Sequence, residues 1–293
     1  MKKLLITGGN GFLGTALAQA AAGWEVFVTQ HNSPVEHGSR FKVVQMDITS
    51  RGQVAEVAAS ISPAAIIHTA AMPDLAQCSA DPQLAWQVNV GGTENVAAAA
   101  QKCGAKMVFT STDIVYSGRE GNYSETDAAQ PSCYYGQTKL EAENVIASLC
   151  SNYCIARTAL IYGKSLAGKK SFAELMLQKM AEGNPMSLFS DEYRSAVYLE
   201  DLCSALLKMA ADDQTRGIYN IAGPQRISRY EFGLILADVF GLDKNCLRPV
   251  KLDQKMFSYH RPQDCSMRIS KAVQAFGDIF RTPRQGLEKM KIL

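Results

Sequence analysis

Thr7-Gly8-Gly9-Asn10-Gly11-Phe12-Leu13-Gly14 follows the apolar run Leu4-Leu5-Ile6 and leads into an Ala/Leu-rich stretch. Read in order, it is a strand, a Gly-x-x-Gly-x-x-Gly turn and the start of a helix. Glycines in this array let the backbone turn sharply, approach a pyrophosphate and pack the helix on the strand. The helix N-terminus offers N–H groups and positive dipole to the anion. Such a triple arises by chance roughly 0.1 times in a chain of this composition, and less often at a strand-to-helix junction. The array therefore points to a dinucleotide site; a glycine-rich turn that binds nothing is the alternative. The glycine and neighbouring positions expected to line it are Gly8, Asn10, Gly11, Phe12, Leu13 and Gly14.

Outward from this turn, short β-branched runs alternate with helical stretches, the pattern of βαβ units feeding a parallel sheet. Strands are expected at residues 3–7, 25–29, 41–46, 64–69, 106–110 and 153–158, with helices at 12–22, 53–60, 84–102 and 134–149. In the first helix Leu13, Ala16, Leu17 and Ala20 fall at i, i+3, i+4 and i+7, a buried stripe. Beyond Gly163 come a Lys/Gly-rich loop, a helix at 171–182, a strand at 186–189 and a polar loop at 191–195. A helix at 200–211 and a strand at 217–221 resume the alternation, and helices at 228–240 and after 270 close the chain. The expected fold is α/β: a doubly wound parallel Rossmann sheet with a smaller mixed α/β C-terminal substrate lobe. The division places residues 1–162 plus 196–222 in the dinucleotide-binding domain and 163–195 plus 223–293 in the substrate lobe.

Composition removes several classes of function. The 293 residues are 47% hydrophobic and 20% charged, with a formal net charge of +2. A chain this long buries roughly 75% of its unfolded surface, so its core needs neither disulfides nor metal. No apolar run approaches the roughly 18 residues of a spanning helix, so neither membrane anchor nor signal peptide is expected. The near-zero charge carries no field for a phosphate backbone, which argues against nucleic acid. The 8 cysteines form no CxxC pair and read as reduced thiols of a cytoplasmic protein; the 4 histidines make no ligand spacing, and no metal site is expected.

The second strand runs into Gln30-His31-Asn32-Ser33 with no acid before Glu36. A carboxylate at this strand end accepts both ribose hydroxyls and repels a 2′-phosphate. Its absence favours NADP(H), the phosphate met by His31, Asn32 or Ser33 with Arg40 nearby; NAD(H) with weak preference is the alternative. Asp47-Ile48 is placed for the adenine, and Ala70-Ala71-Met72 is small enough for a cofactor to lie against the strand ends.

Tyr135-Gly-Gln-Thr-Lys139 puts a phenol and an ammonium on one helix face. A cation beside a tyrosine stabilises phenolate and lowers its pKa, so the pair can move a proton to or from a carbonyl oxygen. Chance alone yields roughly 0.6 such pairs, so position carries the information. The pair follows the fifth strand, whose end reads Thr110-Ser111-Thr112-Asp113, and a hydroxyl from Ser111 or Thr112 is placed to reach the same carbonyl.

This combination resembles the extended short-chain dehydrogenase/reductase superfamily and is most similar to the dTDP-4-dehydrorhamnose reductase family. The resemblance spans nearly the whole chain. It rests on the glycine array, on Ser111-Thr112-Asp113-Ile114-Val115-Tyr116-Ser117-Gly118, and on Tyr123-Ser-Glu125-Thr-Asp127 followed by Pro131. It continues through Tyr135-Gly-Gln-Thr-Lys139-Leu-Glu141, Arg157-Thr-Ala-Leu-Ile-Tyr162-Gly163, and Arg261-Pro262 before Ser266. The resemblance implies a catalytic triad of Thr112 as carbonyl ligand, Tyr135 as proton donor and Lys139 as ribose-binding modulator. It implies cofactor contacts that include Asn89, Thr110, Ser111 and Leu160, and substrate contacts at Thr112, Asp113, Val115 and Tyr135. Where the reductases carry Asp-Gln-x-Gly-x-Pro-Thr, this chain has Asp191-Glu192-Tyr193-Arg194-Ser195-Ala196-Val197, and Leu160 replaces a Trp near Arg157. The family's interfacial magnesium glutamates have no match.

Gly163-Lys-Ser-Leu-Ala-Gly168-Lys169-Lys170 nearly spells a P-loop but has Lys170 where Ser or Thr would hold magnesium. Arg194 and Arg261 fall in the substrate lobe; a guanidinium there suits bidentate phosphate contact, with a buried ion pair as the alternative. The expected function is NADP(H)-dependent reduction of a keto-sugar nucleotide, compatible with a homodimer. The alternatives are an epimerase or dehydratase using the same triad, or a non-catalytic cofactor-binding subunit like the regulatory subunit of methionine adenosyltransferase.

Overall fold

The computed structural model describes residues 1–32, 40–166, 168 and 170–292; Ser33 and Lys169 lie outside the described residues. The order is β1 (Lys2–Thr7), α1 (Phe12–Ala20), β2 (Trp24–Gln30), β3 (Phe41–Gln45), α2 (Arg51–Ile61), β4 (Ala65–His68), α3 (Leu75–Ala80), α4 (Pro82–Trp86) and a π-turn at Gln87–Gly91. Then come α5 (Gly92–Cys103), β5 (Lys106–Thr112), α6 (Tyr134–Leu149), β6 (Tyr153–Thr158), β7 (Ile161–Tyr162), α7 (Phe172–Ala181), β8 (Met186–Phe189), β9 (Tyr193–Arg194) and β10 (Val197–Tyr198). The chain ends with α8 (Leu199–Ala211), β11 (Gly217–Ile221), β12 (Ile227–Ser228), α9 (Arg229–Phe240), β13 (Leu247–Val250), α10 (Ser270–Phe276) and α11 (Pro283–Ile292).

Seven strands form one parallel sheet in the order β11-β6-β5-β4-β1-β2-β3. The alternation of side chains along β1 explains why both faces are covered. Leu4 and Ile6 join the layer containing α1, α8 and α10, whereas Leu5 joins the layer of α2, α5 and α6. Strand order reverses between β1 and β4, so a crevice opens at their carboxyl ends, where open α/β sheets bind ligands. The expected doubly wound α/β fold is therefore present.

A second core forms where α7, α9 and α11 pack around Tyr162, Tyr198 and Phe232. Two small pairings, β8 with β13 and β9 with β12, frame it. The segment expected as polar loop at 191–195 thus contributes strand β9. No helix among the described residues is long and apolar enough to cross a membrane.

The single helix expected over 84–102 is interrupted. Pro82 opens α4 under an Asp81 cap, the π-turn follows, and α5 restarts at Gly92. A Cβ on Gly92 would lie 2.7 Å from Cδ1 of Ile48, so glycine lets α5 approach the end of β3. Sequence periodicity also missed α3, a short element capped by Asp74.

Candidate active site

A cavity of about 610 Å³ opens at the switch point, a volume suited to a cofactor. Its floor is the glycine turn. Gly8 has φ +73°, and a Cβ on Gly14 would fall 2.1 Å from the Gly8 carbonyl oxygen, so the turn closes only with glycine at both places. No side chain caps α1 at Gly11, which leaves its first N–H groups facing a site suited to a pyrophosphate. Gly8, Asn10, Gly11, Phe12, Leu13 and Gly14 all line the cavity, as do His31, Asp47, Ile48, Ala70 and Ala71. At the far end it is walled by Thr110, Ser111, Tyr135 and Lys139. Residues on this wall and floor fit a nicotinamide dinucleotide.

His31 Nε2 lies 3.6 Å from Asp47 Oδ2. Burial opposes ionisation of Asp47, but hydrogen bonds from the Thr49 N–H and hydroxyl outweigh it and hold the carboxyl below its ordinary range. Asn32 is exposed and does not line the cavity.

Tyr135 and Lys139 sit in the first two turns of α6. No protein group among the described residues hydrogen-bonds the Tyr135 hydroxyl. The Lys139 ammonium stands 3.9 Å above the Phe109 ring, with burial pushing its pKa down to about 7 against the opposing pull of Glu143. Burial instead pushes the Tyr135 phenol well above its ordinary value, with Cys78, Asp113 and Cys133 adding to the effect. The spacing had suggested a tyrosine lowered by its lysine. In the folded chain desolvation dominates both groups and favours their neutral forms.

A chain of buried hydrogen bonds fixes these walls. Backbone N–H groups of Thr69 and Ala70 donate to Thr7 Oγ1, which lies 2.6 Å from His68 Nδ1. On the other side His68 Nε2 meets Thr93 Oγ1 at 3.1 Å, and that hydroxyl donates to the Asn89 carbonyl. Burial drives His68 down to about 3, with Lys139 adding to the depression, so the imidazole is neutral. Thr93 spends its proton on the Asn89 carbonyl, so His68 Nε2–H donates to Thr93 Oγ1, and the Thr7 hydroxyl donates its own proton to Nδ1. The Asn89 side chain accepts from Met72 N–H and donates to the Met72 carbonyl and to Thr138 Oγ1, which donates to the Tyr135 carbonyl. Asn89 and Met72 therefore act as a clip behind the cavity rather than on its surface. Leu160, partly exposed, does not line the cavity either; its carbonyl accepts from Val197 N–H, while Thr158 and Ile161 reach the cavity.

The hydroxyls at the end of β5 are engaged. Ser111 donates to Glu143, which pairs with Arg157 at 2.7 Å. Thr112 Oγ1 donates to Asp113 Oδ1 at 3.2 Å and accepts from Ile114 N–H. Thr112, Asp113 and Val115 are buried and do not line the cofactor cavity.

Arg194 and Arg261 are brought together, and what joins them is Glu192. Arg261 Nε and Nη2 donate to the two Glu192 oxygens at 3.0 and 3.1 Å, Arg194 Nη2 lies 3.2 Å away and Arg229 Nη2 3.6 Å away. Glu192 is fully buried. Burial opposes its charge, but the three guanidiniums outweigh it and keep the carboxyl below its usual value. Arg194 also spans Asp113 at 3.3 Å and donates to the carbonyls of Tyr193, Pro262 and Gln263. Sequence reasoning missed Glu192, Arg229, His68 and Thr93 because each acquires its role from partners far along the chain.

The model of the RmlD substrate binding domain matches residues 1–291. Among curated proteins, dTDP-4-dehydrorhamnose reductase of Aggregatibacter actinomycetemcomitans is 28% identical and covers 94% of both chains. Methionine adenosyltransferase 2 subunit beta of Mus musculus is 27% identical, over 98% of this chain and 86% of that one. The crystal structure of dTDP-4-dehydrorhamnose reductase from Bacillus anthracis in complex with NADP superposes with a TM-score of 0.84 at 27% identity, covering 100% of this chain and 99% of that one. With a glycine-floored cavity ending at Tyr135 and Lys139 and a family match over nearly its whole length, the chain belongs to the RmlD substrate-binding-domain family of extended short-chain dehydrogenase/reductase proteins.

Proposed function

We propose that the chain is an NADP(H)-dependent reductase of a keto-sugar nucleotide. One observation carries the reading: Tyr135 and Lys139, a helical turn apart, face the cavity whose floor is the glycine turn. A nicotinamide dinucleotide supplies the hydride. Tyr135 gives its phenolic proton to the carbonyl oxygen as that oxygen becomes an alcohol. Its raised pKa keeps the proton in place until negative charge develops on the substrate. Lys139 stabilises the phenolate that results. The chemistry is that of a nicotinamide-dependent oxidoreductase, and the support for the sugar nucleotide is the kinship with dTDP-4-dehydrorhamnose reductases.

The test is NADPH consumption across a panel of nucleotide-linked keto-sugars. Net oxidation with formation of the alcohol is the expected result, whereas interconversion without net oxidation identifies an epimerase. A second reading has its own observation in the kinship with the methionine adenosyltransferase beta subunits. It requires tight NADPH binding with no turnover on any member of the panel.

Two further results are expected. NADPH binds about tenfold more tightly than NADH, because β2 ends without a carboxylate and His31 stands at the rim; His31→Ala weakens NADPH and leaves NADH unchanged. Competing titrations measure both, and tighter NADH binding contradicts the assignment. The second concerns pH. A lysine depressed to about 7 carries its charge below that value and loses it above, so kcat for reduction declines through an inflection near 7 as pH rises. Lys139→Arg flattens the profile at a lower rate. A wild-type profile flat from pH 6 to 8 removes Lys139 as the titrating group.

A further inference from the structure

An anionic ligand bound by this chain needs cations that are not already spent. Arg194 and Arg261 are spent: both converge on Glu192, which is fully buried, and Arg194 is further saturated by Asp113 and three backbone carbonyls. Glu192 is thus an internal counter-anion where the ligand's negative charge was expected.

A second cavity, of about 660 Å³, lies beside this cluster. One wall is Ser117, Gly118 and Arg119, another is Gln130, Pro131 and Ser132, and the third is Gln254, His260 and Gln263. Among the described residues no carboxylate lines it. Among the described residues neither the Arg119 guanidinium nor the His260 imidazole makes an ion pair or hydrogen bond. Ser132 Oγ is buried with no hydrogen-bond partner, and such a group costs free energy unless something bonds to it.

The walls are built in advance. Tyr123 stacks on Tyr116 at 4.5 Å between ring centroids, and its hydroxyl accepts from the N–H groups of Arg119 and Glu120. Gly118 has φ +74° and approaches Pro262 so closely that a Cβ would lie 2.4 Å from it. The loop carrying Arg119 is therefore pinned to the segment carrying His260 and Gln263.

We propose that this cavity binds the diphosphate-bearing end of the substrate, with the Arg119 guanidinium as its cation and the His260 imidazole and Ser132 hydroxyl as hydrogen-bond donors. Ser132 precedes the proton donor Tyr135 by three residues, a stretch of chain spanning at most about 11 Å. A sugar diphosphate is long enough to bridge such a separation. The proposal rests on the reading of the chain as a sugar-nucleotide reductase, and it moves the anion away from Arg194 and Arg261.

Calorimetric titration of the NADPH-loaded full chain with thymidine diphosphate, uridine diphosphate and inorganic pyrophosphate tests it without requiring turnover. Arg119 and His260 are exposed, so the double variant Arg119→Gln/His260→Gln keeps the fold, and Ser132→Ala is measured beside it. The expected result is that a nucleoside diphosphate binds the wild type, and that the double variant binds it about ten- to a hundredfold more weakly with Ser132→Ala in between. Equal affinity in wild type and double variant overturns the assignment of this cavity while leaving the reductase reading intact. If no nucleoside diphosphate binds the wild type, the cavity assignment and the nucleotide-linked substrate class fall together. Weakened binding of pyrophosphate alone, with nucleoside diphosphates unaffected, places a free-anion site here and rejects the substrate assignment.

Discussion

Tyr135→Phe lowers kcat for carbonyl reduction by about 10²–10⁴-fold, the contribution of a positioned general acid, while the dissociation constant for NADPH stays within a few-fold of wild type. The separation follows from the geometry. The hydroxyl makes no hydrogen bond to the described protein, so its removal breaks no structural contact, and the ring remains packed among Ile114, Cys133 and Cys265. Circular dichroism and melting temperature should therefore be close to wild type. A variant that retains more than about a tenth of the wild-type rate would place the proton donor elsewhere, because among the described residues no other phenol lines the cavity. A variant that melts early instead signals a structural role for the hydroxyl.

Glu192→Ala produces the largest loss of stability, about 3–5 kcal/mol. Removing the carboxylate leaves the buried Arg194 and the half-buried Arg229 and Arg261 gathered around nothing, and Asp113 alone cannot balance three cations. Arg229 shows how narrow the balance is. Burial already lowers it to about 10 even with Glu192 present, and its guanidinium makes only a 3.6 Å ion contact. Glu192→Gln keeps the shape and removes only the charge, so its loss should approach that of alanine if charge is what matters. Chemical denaturation of the three proteins measures the difference. A Glu192→Ala loss below about 1 kcal/mol contradicts the account of a neutralising anion. The same substitution should also disturb the catalytic end, because Arg194 ties this cluster to Asp113, the neighbour of Thr112.

What could be read along the chain was set by local spacing. The glycine array from Gly8 to Gly14 needs only a preceding strand and a following helix, and both come from nearest neighbours. The Tyr135 to Lys139 interval is one helical turn, so their shared face follows from helix geometry alone. Alternation of short apolar runs with Ala-rich stretches is enough for a parallel sheet covered on both sides.

Long-range partners were not legible. The π-turn at Gln87–Gly91 depends on Asn89 finding Met72 and Thr138, and on Gly92 meeting Ile48. No periodicity within 84–102 encodes those contacts. Arg194 and Arg261 were visible as guanidiniums, but whether they face a phosphate or a carboxylate depends on Glu192. Its burial arises only once β9 and the 261–264 segment come together. Burial also reversed the expectation for the phenol: a sequence reports that a lysine is four residues from a tyrosine, and desolvation decides which of their charges survives.

Hydride transfer from nicotinamide to a sugar carbonyl is the claim on which the account stands. Its most direct measurement uses NADPH deuterated at the transferring C4 position with a nucleotide-linked keto-sugar, and follows the label by mass spectrometry. The account predicts one deuterium in the product alcohol, formed in step with NADP⁺ by the wild-type protein and suppressed in Tyr135→Phe. Tight binding of NADPH with no deuterium in any sugar, across the panel, would contradict it.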